Sequence, residues 1–224
     1  MDMPRWSFSS LKTFEQCPKK YYHLKVAQDV EDPPGTAAKY GLLMHSAAEE
    51  YVRDGTELPK AFKYLKKPLD ALMNIPGDKH CEIKLGIKLD ENNEPQPCDF
   101  DDPDYWWHGI ADLVIVNGSL AHSVDYKSSK NARYADIRQL DILAAALFLH
   151  YPDIKTVKSA LAFLVSEELV PKKHEAHKIK EYLGLFTPSM DRLAGAFETD
   201  MWNPNTGPLC GYCPVDFCKH NRSK

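Results

Sequence analysis

The stretch HGIADLVIVNGSLAHSVDYKS, His108 to Ser128, constrains this chain more than any other. Two runs rich in β-branched residues flank Asn117-Gly118, the strongest short hairpin signal, and predict two antiparallel strands closed by a tight turn. With Asn117-Gly118 as the two turn residues, Val116 pairs with Ser119 and Asp112 lies opposite Ser123. Opposed residues share a face, and alternation places Asp125 and Lys127 on that face with Tyr126 on the other. Asp112 and Asp125 are then diagonal neighbours about 7–8 Å apart at the backbone, close enough to share an ion. A single acid beside a base is ordinarily a solvated strand face, so the rest of the chain decides whether this set means more.

The segments around the hairpin predict a mixed α/β architecture. HCEIKLGIKLD, 80–90, alternates with Cys81, Ile83, Leu85, Ile87 and Leu89 on one face and Glu82, Lys84 and Lys88 on the other, as in a half-buried strand. SFSSLKTFEQCPKKYY, 7–22, opens with serines able to cap a helix that breaks at Pro18. KYGLLMHSAAEEYVRDG reads as a helix stopped by Gly55, and KAFKYLKKPLDALM as another, kinked or divided at Pro68. YADIRQLDILAAALFLHYP is apolar almost all round, hence a buried helix, and VKSALAFLVSEEL is a further strand. The order of elements predicts a central mixed sheet flanked by helices in one domain spanning residues 1–224.

Composition narrows the function classes. A net charge of -4 gives no whole-molecule attraction to nucleic acid, so such binding has to be local. The longest aliphatic run, ILAAALFL, is too short to cross a bilayer, and the first ten residues lack the apolar core of a signal peptide. The expectation is a soluble, cytoplasmic protein with no membrane partner. No nucleotide-binding P-loop occurs, which argues against a built-in helicase motor.

Two carboxylates on adjacent strands suit a hard divalent ion, Mg2+ or Mn2+, that takes oxygen ligands and keeps several waters. Phosphodiester cleavage uses such an ion to acidify water and to stabilise charge on phosphorus, with a lysine beside it. Lys127 stands where that lysine belongs, and Glu82 can bind the ion or a water. Among six cysteines, Cys210, Cys213 and Cys218 form a C-x2-C-x4-C run suited to a metal, whereas Cys81 and Cys98 have no partner spacing and read as a buried thiol and a loop thiol. Lysines at 59–67 and 171–180 offer either a track for a phosphate backbone or solvated faces, and Tyr105, Trp106 and Trp107 offer either base stacking or core packing.

GIAD at 109–112 followed by VDYKSS at 124–129 resembles the PD-(D/E)xK nuclease superfamily. Gly41 and His45 in GLLMH, Gln139 in RQLDILAAAL and the opening SFSSLKTFEQCPKKYY are similar to its RecB-like branch. The resemblance implies a restriction-endonuclease-like core. It implies that His45, Asp112, Asp125 and the carbonyl of Tyr126 are metal ligands and that Lys127 is the catalytic lysine. Glu82 would act through water, and Gln139 would support the site or contact the phosphate backbone. Ser128 stands where the family often has threonine and keeps the hydroxyl. Members with one N-terminal and three C-terminal cysteines further imply a [4Fe-4S] cluster held by Cys17, Cys210, Cys213 and Cys218, joining residues 1–30 and 200–224 in one subdomain. Zn2+ is the alternative, with His220 or His23 close in sequence.

The implied activity is a DNA exonuclease of recombination, repair or phage DNA processing. Its partners would be single-stranded or duplex DNA ends, with a separate helicase, annealing or single-strand-binding protein, and a homo-oligomer is open. A CRISPR-adaptation nuclease and a catalytically silent DNA-binding protein of the same fold are the alternatives.

Overall fold

A computed structural model describes residues 4–222. In chain order it contains helices α1 (Phe8–Gln16), α2 (Pro18–Tyr21), α3 (Thr36–Asp54) and α4 (Lys66–Met73), then strands β1 (Asp78–Leu89), β2 (Pro95–Cys98), β3 (Trp107–Asn117) and β4 (Leu120–Lys127). Helix α5 (Arg138–His150), strands β5 (Thr156–Phe163) and β6 (Glu168–Glu175), and helices α6 (Ile179–Gly184) and α7 (Thr187–Thr199) follow. These elements fall into two compact units, Met1–Pro34 with Phe186–Lys224, and Gly35–Leu185.

In the unit that holds both chain ends, Ser7 caps α1 by a reciprocal pair of bonds with Ser10, as the serine cluster predicts. Pro18 opens α2 at its first position, where no amide hydrogen is needed. The core is aromatic. Trp6 packs on Phe186 at 5.0 Å between ring centroids, and Trp202 meets Phe14, Tyr21, Tyr22 and Phe197. Trp202, which carries no legible role in the sequence, is thus the residue on which both ends of the chain converge.

The other unit is a mixed sheet of six strands in the order β2-β1-β3-β4-β5-β6, flanked by helices. All neighbours are antiparallel except β4 and β5, which are parallel because α5 makes the crossover between them. On one face Met44 and Ala48 of α3 and Leu69 of α4 pack with Leu113, Ile115, Val124 and Tyr126. Helix α5 is buried at every residue from Leu140 to Phe148, which accounts for its all-round apolar sequence. Gly55 ends α3 in a left-handed C-cap at φ +70°.

Several expectations are corrected. The break before α4 falls between a 3-10 turn, Lys60–Leu65, and Lys66, not at Pro68. Pro68 sits in the first helical turn, where its missing amide hydrogen costs no helical bond. VKSALAFLVSEEL is not one strand: it turns after Phe163 and returns as β6, and β2 is a further strand. Both additions are edge strands containing proline, and edges tolerate residues that leave little strand signal in a sequence.

The hairpin register also differs. Asn117 pairs with Leu120, leaving Gly118 and Ser119 as the turn. Gly118 has φ +59° and Ser119 has no positive φ, the pattern of a turn with glycine in its first central position. Leu113 therefore pairs with Val124, and the same register continued one step would set Asp112 opposite Asp125 instead of diagonal to it. The change is an even step, so the face predicted for both carboxylates is kept. Among the described residues no helix is long and apolar enough to cross a membrane.

The turn yields a stability test. Gly118→Ala forces a side chain into the left-handed region and is expected to lower unfolding free energy by roughly 1–2 kcal/mol in urea titrations. Gly195→Ala, in the middle of α7 with nothing within 4 Å of the added carbon, is expected to raise it by about 1 kcal/mol. Equal effects would contradict the turn geometry.

Candidate metal centre

The antiparallel ladder between β1 and β3 pairs Cys81 with Leu113 and Ile83 with Ala111, but is interrupted between them at Glu82 and Asp112. Glu82 has φ +52°, a left-handed conformation that a residue with a side chain adopts at a cost of about 1–3 kcal/mol. The pairing of β3 with β4 ends at Leu113 and Val124, immediately before Asp112 and Asp125. The sheet thus opens along the row Glu82, Asp112, Asp125, and side chains from two helices reach this row.

From α3, His45 places Nδ1 3.4 Å from Asp112 Oδ2. One ligand atom each from His45, Glu82 and Asp112 lies within 4.8 Å of the others, a group able to hold a metal ion. Asp112 Oδ2 also accepts the Tyr126 amide hydrogen at 2.6 Å, which ties β3 to β4 where their ladder stops. From α5, Gln139 donates through Nε2 to Asp125 Oδ1 at 2.5 Å and accepts through Oε1 from Lys127 Nζ at 2.8 Å. Lys127 Nζ lies 2.6 Å from Asp125 Oδ2, so lysine, acid and amide close a three-membered ring. That last contact is an ion pair to a buried carboxylate oxygen.

The electrostatics are those of acids crowded together out of water. Burial pushes the Asp125 carboxyl up to about 6, with Lys127 opposing the rise and Asp112 adding to it. Burial also raises Glu82, helped by Asp112 and Glu49. For His45, burial works downwards but is outweighed by its hydrogen bond to Asp112 and the charges of Asp112, Asp125 and Glu82, so its pKa is raised. Each direction records a demand for positive charge at one point. The donor set of carboxylates with one imidazole fits a divalent cation such as Mg2+ or Mn2+.

The predicted residues are therefore distributed unevenly. The group within 4.8 Å contains Glu82, expected to work through water, and does not contain Asp125, expected as a direct ligand. Asp125 is engaged by Lys127 of its own strand and by Gln139 of α5. Neither grouping follows from register alone, because it depends on the opened ladder and the reach of α3 and α5. Gly41 lies where an added Cβ would come 3.0 Å from Ser128 Oγ, so its missing side chain lets α3 approach the end of β4.

Within the unit that holds the chain ends, Cys17, Cys210, Cys213 and Cys218 line one cavity together with His220 and Asn221. Asn221 holds the loop by donating to the carbonyls of Cys213 and Val215, and the Arg222 amide donates to Cys210. His23, the other imidazole near these cysteines in sequence, is bonded through Nδ1 to Asp29 at 2.9 Å. Of the remaining thiols, Cys98 is buried on β2 and not in a loop, whereas Cys81 packs half-buried against the core.

The broader contacts resolve towards structure. Trp106 and Trp107 are buried, and Tyr105 stacks on His108 at 4.2 Å. Lys63, Lys66 and Lys67 pair with Glu57, Asp70 and Glu167, and Lys173 and Lys180 with Glu175 and Glu94, as on solvated faces.

The raised Asp125 carboxyl gives a pH test. Its folded-state value lies above the ordinary carboxylate value of about 3.9, so the cation-free fold loses stability as pH rises from about 4 through about 6. A cation competes with that proton. Mn2+ is expected to raise the thermal midpoint more at about pH 7.5 than at about pH 5, measured by calorimetry. An equal shift at both values would exclude this carboxylate from the cation site.

No curated protein matches the chain. Its structure is similar to the crystal structure of SSO0001, with 15% identity over 94% of this chain and 85% of that one and a TM-score of 0.40. It is also similar to a candidate exonuclease from Eubacterium rectale, with 14% identity over 100% of this chain and 89% of that one and a TM-score of 0.50, a likeness of fold. The model of the PD-(D/E)XK nuclease superfamily matches residues 5–218, which takes in every strand, the opened row and both flanking helices. The chain belongs to the PD-(D/E)XK nuclease superfamily.

Proposed function

We propose that this protein is a divalent-metal-dependent DNA exonuclease of the RecB-like branch, acting in recombination, repair or phage DNA processing. The observation that carries the reading is the ring of Asp125, Lys127 and Gln139 beside the group of His45, Glu82 and Asp112. His45, Asp112, Asp125 and the Tyr126 carbonyl hold Mg2+ or Mn2+, and Glu82, already within the same group, completes or adjusts that set. The bound ion supplies acidification of water and stabilisation of charge developing on phosphorus.

The chain's own groups do the rest. Lys127, held by Gln139 and Asp125, presents its remaining ammonium hydrogens to the attacking water or to a phosphate oxygen, and a fixed donor costs no reorganisation when charge develops. Gln139 keeps Asp125 and Lys127 at a constant separation by bonding both at once. Tyr126 orients Asp112 through its backbone amide. DNA ends are the substrate, with a separate helicase, annealing or single-strand-binding protein as partner.

Cys17, Cys210, Cys213 and Cys218 hold a [4Fe-4S] cluster in this proposal, with Zn2+ the alternative. Support comes from the shared cavity and from thiol spacing.

End-labelled single- and double-stranded DNA, incubated in Mg2+, Mn2+ or chelator, tests the activity. Asp125→Ala and Lys127→Ala are each expected to slow cleavage by at least about 100-fold while remaining folded. DNA held but never cut by wild type in either metal would replace the exonuclease with a binding module. For the cysteine site, anaerobic purification is expected to give a brown protein containing iron and acid-labile sulfide. Stoichiometric zinc without iron would overturn the cluster.

A further inference from the structure

Helix α5 carries Gln139 to the candidate site, yet its sequence is apolar on every side. Burial alone therefore selects no rotation of the helix about its axis, since any face it turns to the sheet is apolar. A turn by one residue swings each side chain through about 100° and would take Gln139 away from Asp125 and Lys127.

One charged residue interrupts the apolar run. Asp141, two positions beyond Gln139, is completely buried. Lys172 Nζ lies 2.7 Å from its Oδ1 and 2.8 Å from its Oδ2, and His174 Nε2 lies 3.0 Å from Oδ1. His174, also completely buried, makes a hydrogen bond between Nδ1 and Ser159 Oγ at 3.2 Å, and Tyr182 packs edge-on against its ring. Lys172 and His174 share a face of β6, and Ser159 is the β5 residue paired with Lys172. The network thus bonds α5 to the last two strands of the sheet, on the opposite side of the crossover from β4.

Buried ion pairs contribute little net stability, because desolvation offsets their attraction, and an apolar set of the same volume often serves as well. What such a pair does supply is direction, and direction is what an all-round apolar helix lacks. We propose that Asp141, gripped by Lys172 and His174, is a positioning residue that sets the rotation of α5 so that Gln139 bonds Asp125 and Lys127. The role of Gln139 in turnover rests on the nuclease reading, whereas its placement by Asp141 does not.

The test reads placement and turnover separately. The side-chain amide of Gln139, identified in 1H–15N spectra by its loss in Gln139→Ala, is expected to exchange slowly in wild type and in Asp141→Asn, which still accepts hydrogen bonds. In Asp141→Leu, or in Lys172→Met should that variant not fold, it is expected to move to the position and exchange rate of a solvated amide. A folded Asp141→Leu or Lys172→Met with an unchanged Gln139 amide would overturn the proposal.

In the cleavage assay Asp141→Leu is expected to lower kcat by about 10–100-fold with little change in KM, the usual scale for residues that orient a site's inner ligands. The double variant with Gln139→Ala is expected to be no slower than Gln139→Ala alone. Additive losses would show that Asp141 acts otherwise than through Gln139. If wild type cuts no DNA, the nuclease reading fails and the amide signal still decides the placement.

Discussion

Three carboxyl groups and an imidazole converge where the backbone ladder of the central sheet is interrupted, and the electrostatics of that row organise the unit around it. Hydrogen-bonded strands present their side chains perpendicular to the sheet, in rows that point away from one another's backbone. Opening the ladder at Glu82 and Asp112 allows Asp112 to accept the Tyr126 amide and allows His45 to meet the row. The like charges gathered there repel one another and lose hydration. The consequence is the upward displacement of Glu82 and Asp125 towards their protonated forms, while the same carboxylates attract a proton to His45 and raise it against the effect of burial. A fold that gathers carboxylates and an imidazole in this way is set up for a cation.

The two helices against the sheet divide the work of holding that row. Helix α3 contributes hydrophobic packing through Met44 and Ala48 and, one residue after Met44, the imidazole at the row. Helix α5 contributes packing on every side and the single amide that bonds both Asp125 and Lys127. An apolar helix is a good filler and a poor pointer. The buried Asp141, held by Lys172 and His174, gives it a direction at the cost of desolvating charge.

The unit built from the chain ends solves a different problem. Terminal segments fray unless something ties them down, and here the tie is aromatic: Trp6 with Phe186, and Trp202 with Phe14, Tyr21, Tyr22 and Phe197. The four cysteines gather in the same unit because the helix break at Cys17-Pro18 and the loop around Asn221 bring them to one cavity.

Much was legible in the sequence, for local reasons. The existence of β1, β3 and β4, the Ser7 cap, the Gly55 stop and the buried character of α5 all arise from periodicity or from single-residue backbone preferences, which neighbours in sequence determine. So does the shared face of Asp112, Asp125 and Lys127, which survived a different turn because an even change of register keeps parity. Edge strands β2 and β6 were not legible, since proline and lysine suit an edge only once a partner strand stands beside it. The grouping of Glu82 with His45, the bridging by Gln139, the aromatic contacts of Trp202 and the burial of Asp141 were decided by tertiary structure alone. Each depends on contacts between residues distant in the chain, and no periodicity records which of many polar side chains a closing fold will bring within bonding distance.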